Sequence, residues 1–378
     1  MSPLFEQVLR GVRLFVAVIV AGFHVLVGGS VVTTTPLPAP QATSTPASVP
    51  ATLASAPAES PTITPAQTTT QKPKVAEKTP EATPPTPKAA AAPAVDQTEL
   101  NQEVRKAVVN ILCVLSTDTS VRTISGSGVF IDTRGVILTN AHVAQYFLLH
   151  DYPAPNATRC TIRTGSPAQA AYAATLLFLP PQWIKQNASQ ITSTEPSGTG
   201  ESDYAFVLVS DPEEAGNPFP SSFPAISMSN ATPEIGSTIL LSAYAAGFFG
   251  SLTIATNLYN TSAFSTLQHY YTFATSSIDA VSLGGSVAAQ AGSSGGAAVD
   301  AYTGDMIGLI TSDTASSTTA GRDLRAITID YIDRSLTQDR FGGIRGLLKS
   351  DPRDIAQVFG ATIAPTLKAQ LVAALEKH

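Results

Sequence analysis

Charged side chains are scarce in this chain: Asp, Glu, Lys and Arg make up 13% of 378 residues, about half the roughly 25% usual for globular proteins. The formal net charge of −6 is thinly spread, and nowhere do Lys and Arg form a dense block. Binding to phosphate backbones needs such blocks, so nucleic acid is excluded as a partner. Cysteine is scarcer still. Cys113 and Cys160 are the only two, and their spacing excludes a CxxC-type metal site. In an exported chain they permit one intrachain disulfide. Two buried thiols are the other reading, and sequence alone does not bring their Cα atoms into bonding range. Histidine numbers five, and His142 has no second His or Cys near it. No metal site is expected, nor any cofactor.

Ala, Ser, Thr, Gly and Pro dominate instead, and they divide the chain into parts. Residues 1–33 hold Arg10 and Arg13, followed by an apolar run from Leu14 to Val32. At helical rise that run nearly spans a hydrocarbon core of about 30 Å. The two arginines before it predict a cytoplasmic N-terminus, with the remainder outside the cytoplasm. This segment reads as a single-pass membrane anchor. The alternative is a signal peptide cleaved near Gly28-Gly29-Ser30, which would release a secreted protein. Residues 34–95 are Pro, Thr, Ala and Ser with few charges. Too little apolar surface is present there to offset ordering entropy, so this stretch is expected to be a disordered spacer.

Folded sequence is expected over 96–340, with a helical tail over 341–378. Thr98 to Lys106 has helical character. Strand-like runs then follow at Ala107–Leu115, Gly128–Asp132, Val136–Thr139 and Tyr204–Val209. After a Pro-rich crossing from Asp211 to Pro233 come Thr238–Ser242, Ser251–Ala255, Tyr270–Phe273, Ala297–Val299 and Met306–Thr311. Short strands separated by Gly, Asn and Asp turns predict an all-β fold. The crossing splits them into two β units, about 105–212 and 231–336, with a cleft between. Pro352 and Pro365 mark the starts of two closing helices. Beyond Phe341 too little chain remains for a further globular domain of ordinary size.

Three pieces carry chemistry. The first is Gly126-Ser-Gly-Val-Phe-Ile-Asp132 with Val136-Ile-Leu-Thr-Asn-Ala-His142. The second is Ser202-Asp203 before an apolar strand, and the third is Gly292-Ser293-Ser294-Gly295-Gly296. Acyl transfer needs a nucleophile, a base with a pKa near working pH, and an acid that fixes the tautomer of the base. Ser294, His142 and Asp203 fit those roles in turn. Glycines around Ser294 permit a tight turn whose Gly292 and Ser294 N–H groups converge on a developing oxyanion, with Ser293 between them. His150 beside Asp151 is read as a loop pair, and Ser286 lacks the trailing Gly-Gly of a nucleophile turn.

Over Val108 to Leu336 these motifs, together with Asp203-Tyr-Ala-Phe-Val-Leu-Val, Gly236-Ser-Thr-Ile-Leu-Leu and Ile307-Gly-Leu-Ile-Thr311, resemble the HtrA/Deg branch of trypsin-like serine proteases. The resemblance implies two antiparallel Greek-key β-barrels of six strands, chymotrypsin-like, with the site between them. It also implies a serine endopeptidase acting on polypeptide substrates in processing or quality control outside the cytoplasm. Departures accompany it. Ser293 stands where the family has Asn or Asp, Ala243-Tyr-Ala-Ala-Gly247 replaces a Gly-Asn-Pro loop, and there is no room for a PDZ domain. These keep a second reading open, a catalytically silent binding or scaffold protein of the cell envelope. Oligomeric state stays open. In this fold the residue six before the nucleophile, Ala288, floors the specificity pocket. With Ala289, Thr311 and Ser312 it predicts small or medium apolar preference, with Asp313 just beyond the wall.

Overall fold

The computed structural model describes residues 95–116, 121–193, 198–247, 249–273, 276–312 and 322–377. The apolar N-terminal segment, the spacer up to Ala94 and Asp313 therefore lie outside the described residues. Among the described residues no single helix is long and apolar enough to cross a membrane.

Helix α1 (Gln97–Ala107) opens the fold. Asp96 caps it, its Oδ1 accepting from the N–H groups of Thr98 (2.8 Å) and Glu99 (3.0 Å). Two of the donors that a helix start leaves free are satisfied in this way. Leu100, Val104 and Ala107 recur at helical spacing and are buried.

Six strands then close into an antiparallel barrel. They are β1 (Val108–Ser116), β2 (Val121–Asp132), β3 (Val136–Thr139), β4 (Thr158–Thr164), β5 (Gln169–Phe178) and β6 (Ala205–Pro212). Around the barrel the order is β1-β2-β3-β6-β5-β4. The skip from β3 to β6, with β4 returning beside β1, is Greek-key connectivity. Short helix α2 (Ala141–Ala144) follows β3, and α3 (Pro181–Asn187) lies between β5 and β6. Cys113 and Cys160 stand directly opposite one another in the β1–β4 ladder and are joined in a disulfide, S–S 2.03 Å.

The Pro-rich crossing runs back over this barrel before leaving it. Phe223 and Ile226 donate their N–H groups to the carbonyls of Thr133 (2.9 Å) and Phe130 (3.0 Å), and the Phe223 ring lies 4.9 Å from that of Phe130. Ser229 then donates to the Met306 carbonyl at 3.0 Å, entering the second half.

That half contains β7 (Thr238–Ala243), α4 (Ser251–Thr256), β8 (Thr261–Thr266), β9 (His269–Tyr271), β10 (Ala280–Ser282), β11 (Ala297–Asp300), β12 (Met306–Ser312) and β13 (Arg325–Thr328). The strands form one seven-stranded antiparallel sheet, β8-β7-β11-β12-β13-β10-β9, whose ladder does not close. The second unit is therefore a half-barrel rather than a second closed six-stranded barrel. Ile239, Leu241, Val281, Leu283 and Ile310 pack in its core. Mostly β, with one closed barrel and one half-barrel, this is a chymotrypsin-like fold.

One expected strand is a helix. Ser251–Ala255 lies in α4, none of whose residues is buried. Of its Leu-Thr-Ile run only Ile254 packs against the core, and it is only partly buried. What holds it is Arg163 on β4, 3% exposed, whose guanidinium donates to the carbonyls of Ile254 (2.8 Å) and Ala255 (2.9 Å). Those are among the carbonyls that a helix end leaves unsatisfied.

The tail comprises α5 (Ile329–Gln338), α6 (Gly343–Lys349), α7 (Pro352–Thr362) and α8 (Ala364–Leu375), so three helices rather than two follow residue 341. Asp351 caps α7 by accepting from the Arg353 N–H at 2.9 Å, with Pro352 in the first turn. Phe178 of β5 meets Phe341 (4.8 Å) and Phe359 (5.9 Å). Leu367 and Leu371 of α8 are buried. Each such side chain contributes roughly 1.5–3 kcal/mol to keeping the tail on the first barrel.

Candidate active site

His142 lies beyond the end of β3 at Thr139. It sits second in α2, the single helical turn that follows β3. The carbonyl of Asn140 starts that turn by accepting from Val143 and Ala144, while its side-chain Nδ2 donates to the Asp203 carbonyl at 2.7 Å. Asp203 lies just before β6, after a tight turn in which Ser202 has φ +57°. The Ser202 N–H donates to the Tyr331 hydroxyl of α5 at 2.9 Å. Both halves of the molecule thus fix the backbone that carries the acid.

The two side chains meet closely. His142 Nδ1 and Asp203 Oδ2 are 2.7 Å apart, and the His142 N–H donates to Asp203 Oδ1 at 2.9 Å. With Nδ1–H on the carboxylate, Nε2 is left as the proton acceptor. Asp203 is 6% exposed. Burial works to raise its carboxyl pKa, but the charge of His142, the two bonds from that residue and the Thr311 hydroxyl outweigh burial and hold it below the ordinary value. For His142 burial works downward, and the Asp203 charge and hydrogen bond outweigh it, so the imidazole stands above its ordinary pKa.

Ser294 lies in the turn before β11. Gly295, at φ +88°, donates to the Ile310 carbonyl at 2.8 Å, and Gly296 donates to the Ser293 carbonyl at 2.9 Å. An added Cβ at Gly295 would fall 1.9 Å from the Ser127 carbonyl, so only glycine lets this turn seat against β2. Ser294 Oγ donates to the Thr311 carbonyl at 3.3 Å. Among the described residues no hydrogen bond joins Ser294 to His142.

The preceding residues form a β-turn from Gln290 to Ser293, closed by the Ser293 N–H on the Gln290 carbonyl at 3.1 Å. Gly292, third in the turn, has φ +90°, which defines type II; type I has the central peptide flipped. That central peptide is Ala291–Gly292. Its carbonyl accepts from the Ala246 N–H at 2.7 Å, which aims the Gly292 N–H the opposite way. Among the described residues neither the Gly292 nor the Ser294 N–H has a protein acceptor. Open donors of this kind are what an oxyanion hole requires. The Ser293 N–H closes the turn instead and is not one of these open donors.

The expected specificity residues are placed differently from one another. Ala288 and Ala289 are fully buried, and the Ala289 carbonyl accepts from Arg322 Nη1 at 2.6 Å. A cation therefore stands beside alanines that the sequence reading treated as an uncharged floor. Thr311 turns its hydroxyl to Asp203 Oδ2, 2.8 Å away. Ser312 ends β12. His150 and Asp151 do pair, at 2.9 Å, but on the exposed surface. The sequence reading missed Asn140, Thr311 as a partner of Asp203, and Arg322. Asn140 had a signal in the Thr-Asn-Ala-His motif; a lone threonine and a lone arginine offered none.

A closed β-barrel and a half-barrel, with a His–Asp pair on the first and a glycine-flanked serine on the second, define the chymotrypsin-like class. Residues 126–309 match the family of the trypsin-like peptidase domain, which supports a serine-protease type of function for this stretch. No curated protein matches the chain.

Proposed function

We propose that this chain is a serine endopeptidase of the HtrA/Deg type, cleaving polypeptides outside the cytoplasm through an acyl-enzyme. The observation that carries the proposal is the His142–Asp203 pair at 2.7 Å combined with a Gly292 turn whose donors are open. In the reaction Ser294 Oγ attacks the scissile carbonyl as His142 Nε2 takes its proton. Asp203 keeps the proton of Nδ1 in place and stabilises the imidazolium. The Gly292 and Ser294 N–H groups take the negative oxygen. The imidazolium then protonates the leaving amine, and water, deprotonated by His142, releases the acyl group. Export rests on Arg10, Arg13 and the apolar run after them.

One observation favours a catalytically silent binding protein instead: the Ser294 hydroxyl is turned to the Thr311 carbonyl. The endopeptidase reading requires a χ1 rotation that turns it toward His142, and staggered rotamers interconvert readily at a partly exposed side chain. The full chain and its Ser294→Ala variant, treated with a fluorophosphonate and with an unfolded protein substrate, separate the two readings. Labelling and cleavage lost in the variant are expected. A folded wild type that neither labels nor cleaves would leave the binding protein as the better reading.

A further inference from the structure

The second residue of the Gly126-Ser127-Gly128 motif lies on β2, in the first barrel, yet it bonds chiefly to the second half. Ser127 is fully buried. Its N–H donates to the Ser294 carbonyl at 2.7 Å. Its Oγ accepts from the Tyr244 N–H at 2.9 Å and donates to the Gly292 carbonyl at 2.8 Å. Its own carbonyl takes the Thr139 hydroxyl at 2.7 Å and abuts Gly295.

We propose that Ser127 is a positioning residue whose hydroxyl holds the Gly292 turn in its open form; its catalytic consequence rests on the endopeptidase reading. A hydroxyl has one proton. With the Tyr244 N–H occupying a lone pair, that proton is directed to the Gly292 carbonyl. The peptide after Gly292 is thereby fixed by Ser127, and the peptide before it by the Ala246 N–H on the Ala291 carbonyl. Tyr244 and Ala246 belong to the same segment after β7, so one hydroxyl joins β2, that segment and the turn. Nothing else among the described residues bonds the Gly292 carbonyl.

Removing Oγ leaves the Tyr244 N–H and the Gly292 carbonyl buried without partners, which is costly. Without that anchor the peptide after Gly292 is free to turn, and the turn is no longer held in its type II form from that side. The Gly292 N–H is then no longer held toward the oxyanion. This hydroxyl therefore governs transition-state stabilisation and leaves ground-state binding of substrate largely untouched.

The test compares the full chain with Ser127→Ala and with Ser127→Cys, whose thiol is of similar size but a weak donor. Three quantities are measured: amide hydrogen exchange, fluorophosphonate labelling, and steady-state peptide cleavage. Faster exchange confined to the segments around Tyr244 and Gly292–Gly296 is expected in both variants. A fall in kcat of about 10²-fold, the scale of losing one oxyanion donor, with KM little changed, should accompany it. Wild-type exchange in both segments would overturn the proposal whatever the activity. So would wild-type labelling rates in both variants of an enzyme whose wild type labels. If the wild type does not label at all, the endopeptidase reading fails by itself, and exchange alone still decides the role of Ser127. Where Ser127→Ala does not fold, Ser127→Cys carries the comparison.

Discussion

The hydroxyl of Thr311 and Nδ1 of His142 meet on one atom, Oδ2 of Asp203, at 2.8 and 2.7 Å. Thr311 comes from the half-barrel and the other two residues from the closed barrel. The orientation of the acid is thus completed across the junction. Replacing Thr311 with Val keeps the shape and removes the donor. Hydrogen bonds to charged groups contribute about 1.5–3 kcal/mol, so kcat is expected to fall by about tenfold or somewhat more with the fold intact. Steady-state kinetics on Thr311→Val test this, and an unchanged kcat would show the hydroxyl to be a bystander.

The pH profile follows from the direction of the His142 shift. A protonated imidazole cannot take the proton of Ser294, so activity is lost as pH falls through the pKa of His142. Because that pKa is raised, the acidic limb of kcat/KM should lie above the ordinary imidazole value of about 6.5. In Asp203→Asn the supporting charge is gone. The limb should move to lower pH, and kcat should fall by about 10⁴-fold as the tautomer is lost. A limb that stays in place in Asp203→Asn would contradict the assignment.

Ser293 presents a different situation. Its Oγ is buried and has no hydrogen-bond partner among the described residues. A buried hydroxyl without a partner is unfavourable, so Ser293→Ala is expected to be neutral or to stabilise by up to about 1 kcal/mol. Thermal melting decides the matter, and a clear drop would mean that this hydroxyl has a partner in solution.

The disulfide between Cys113 and Cys160 closes a loop of 47 residues. Loop-closure entropy for that length is about 4 kcal/mol. Removing it in a Cys113→Ala, Cys160→Ala double variant should lower the melting temperature by roughly 8–16 °C. Melting unchanged by the double substitution, or by a reductant, would show that the bridge does not form.

At the primary specificity subsite we predict small or medium apolar side chains, from buried Ala288 and Ala289. Peptide-library cleavage is the measurement. Dominance of Arg or Lys, or of Asp or Glu, would overturn the prediction.

How much of this was legible beforehand depends on what each residue does. Runs such as Val136–Thr139 and Met306–Thr311 face a core on both sides and show it in composition. Strand β5 reads Gln-Ala-Ala-Tyr-Ala-Ala-Thr-Leu-Leu-Phe, with little contrast between its faces, and was not foreseen; nor was β4. The Ser251–Thr256 helix was misread because only Ile254 of its apolar residues touches the core while Leu252 is exposed, and its fixation by Arg163 is a tertiary contact with no local signature. His142, Asp203 and Ser294 stood out through the glycines and strands around them. Thr311 did not, since a β-branched residue near the end of a strand looks the same whether its hydroxyl is idle or bonded.

Gly295 pressed against the Ser127 carbonyl has a bearing on how the molecule is made. Strand β2 leaves the ribosome well before Ser294 does, and the turn carrying Ser294 has nothing to rest on until the later half docks. A nascent or clipped chain would carry the reactive side chains without a formed oxyanion site. Hydrolytic competence on this reading is the last property the chain acquires, arriving only with the complete interface between its halves.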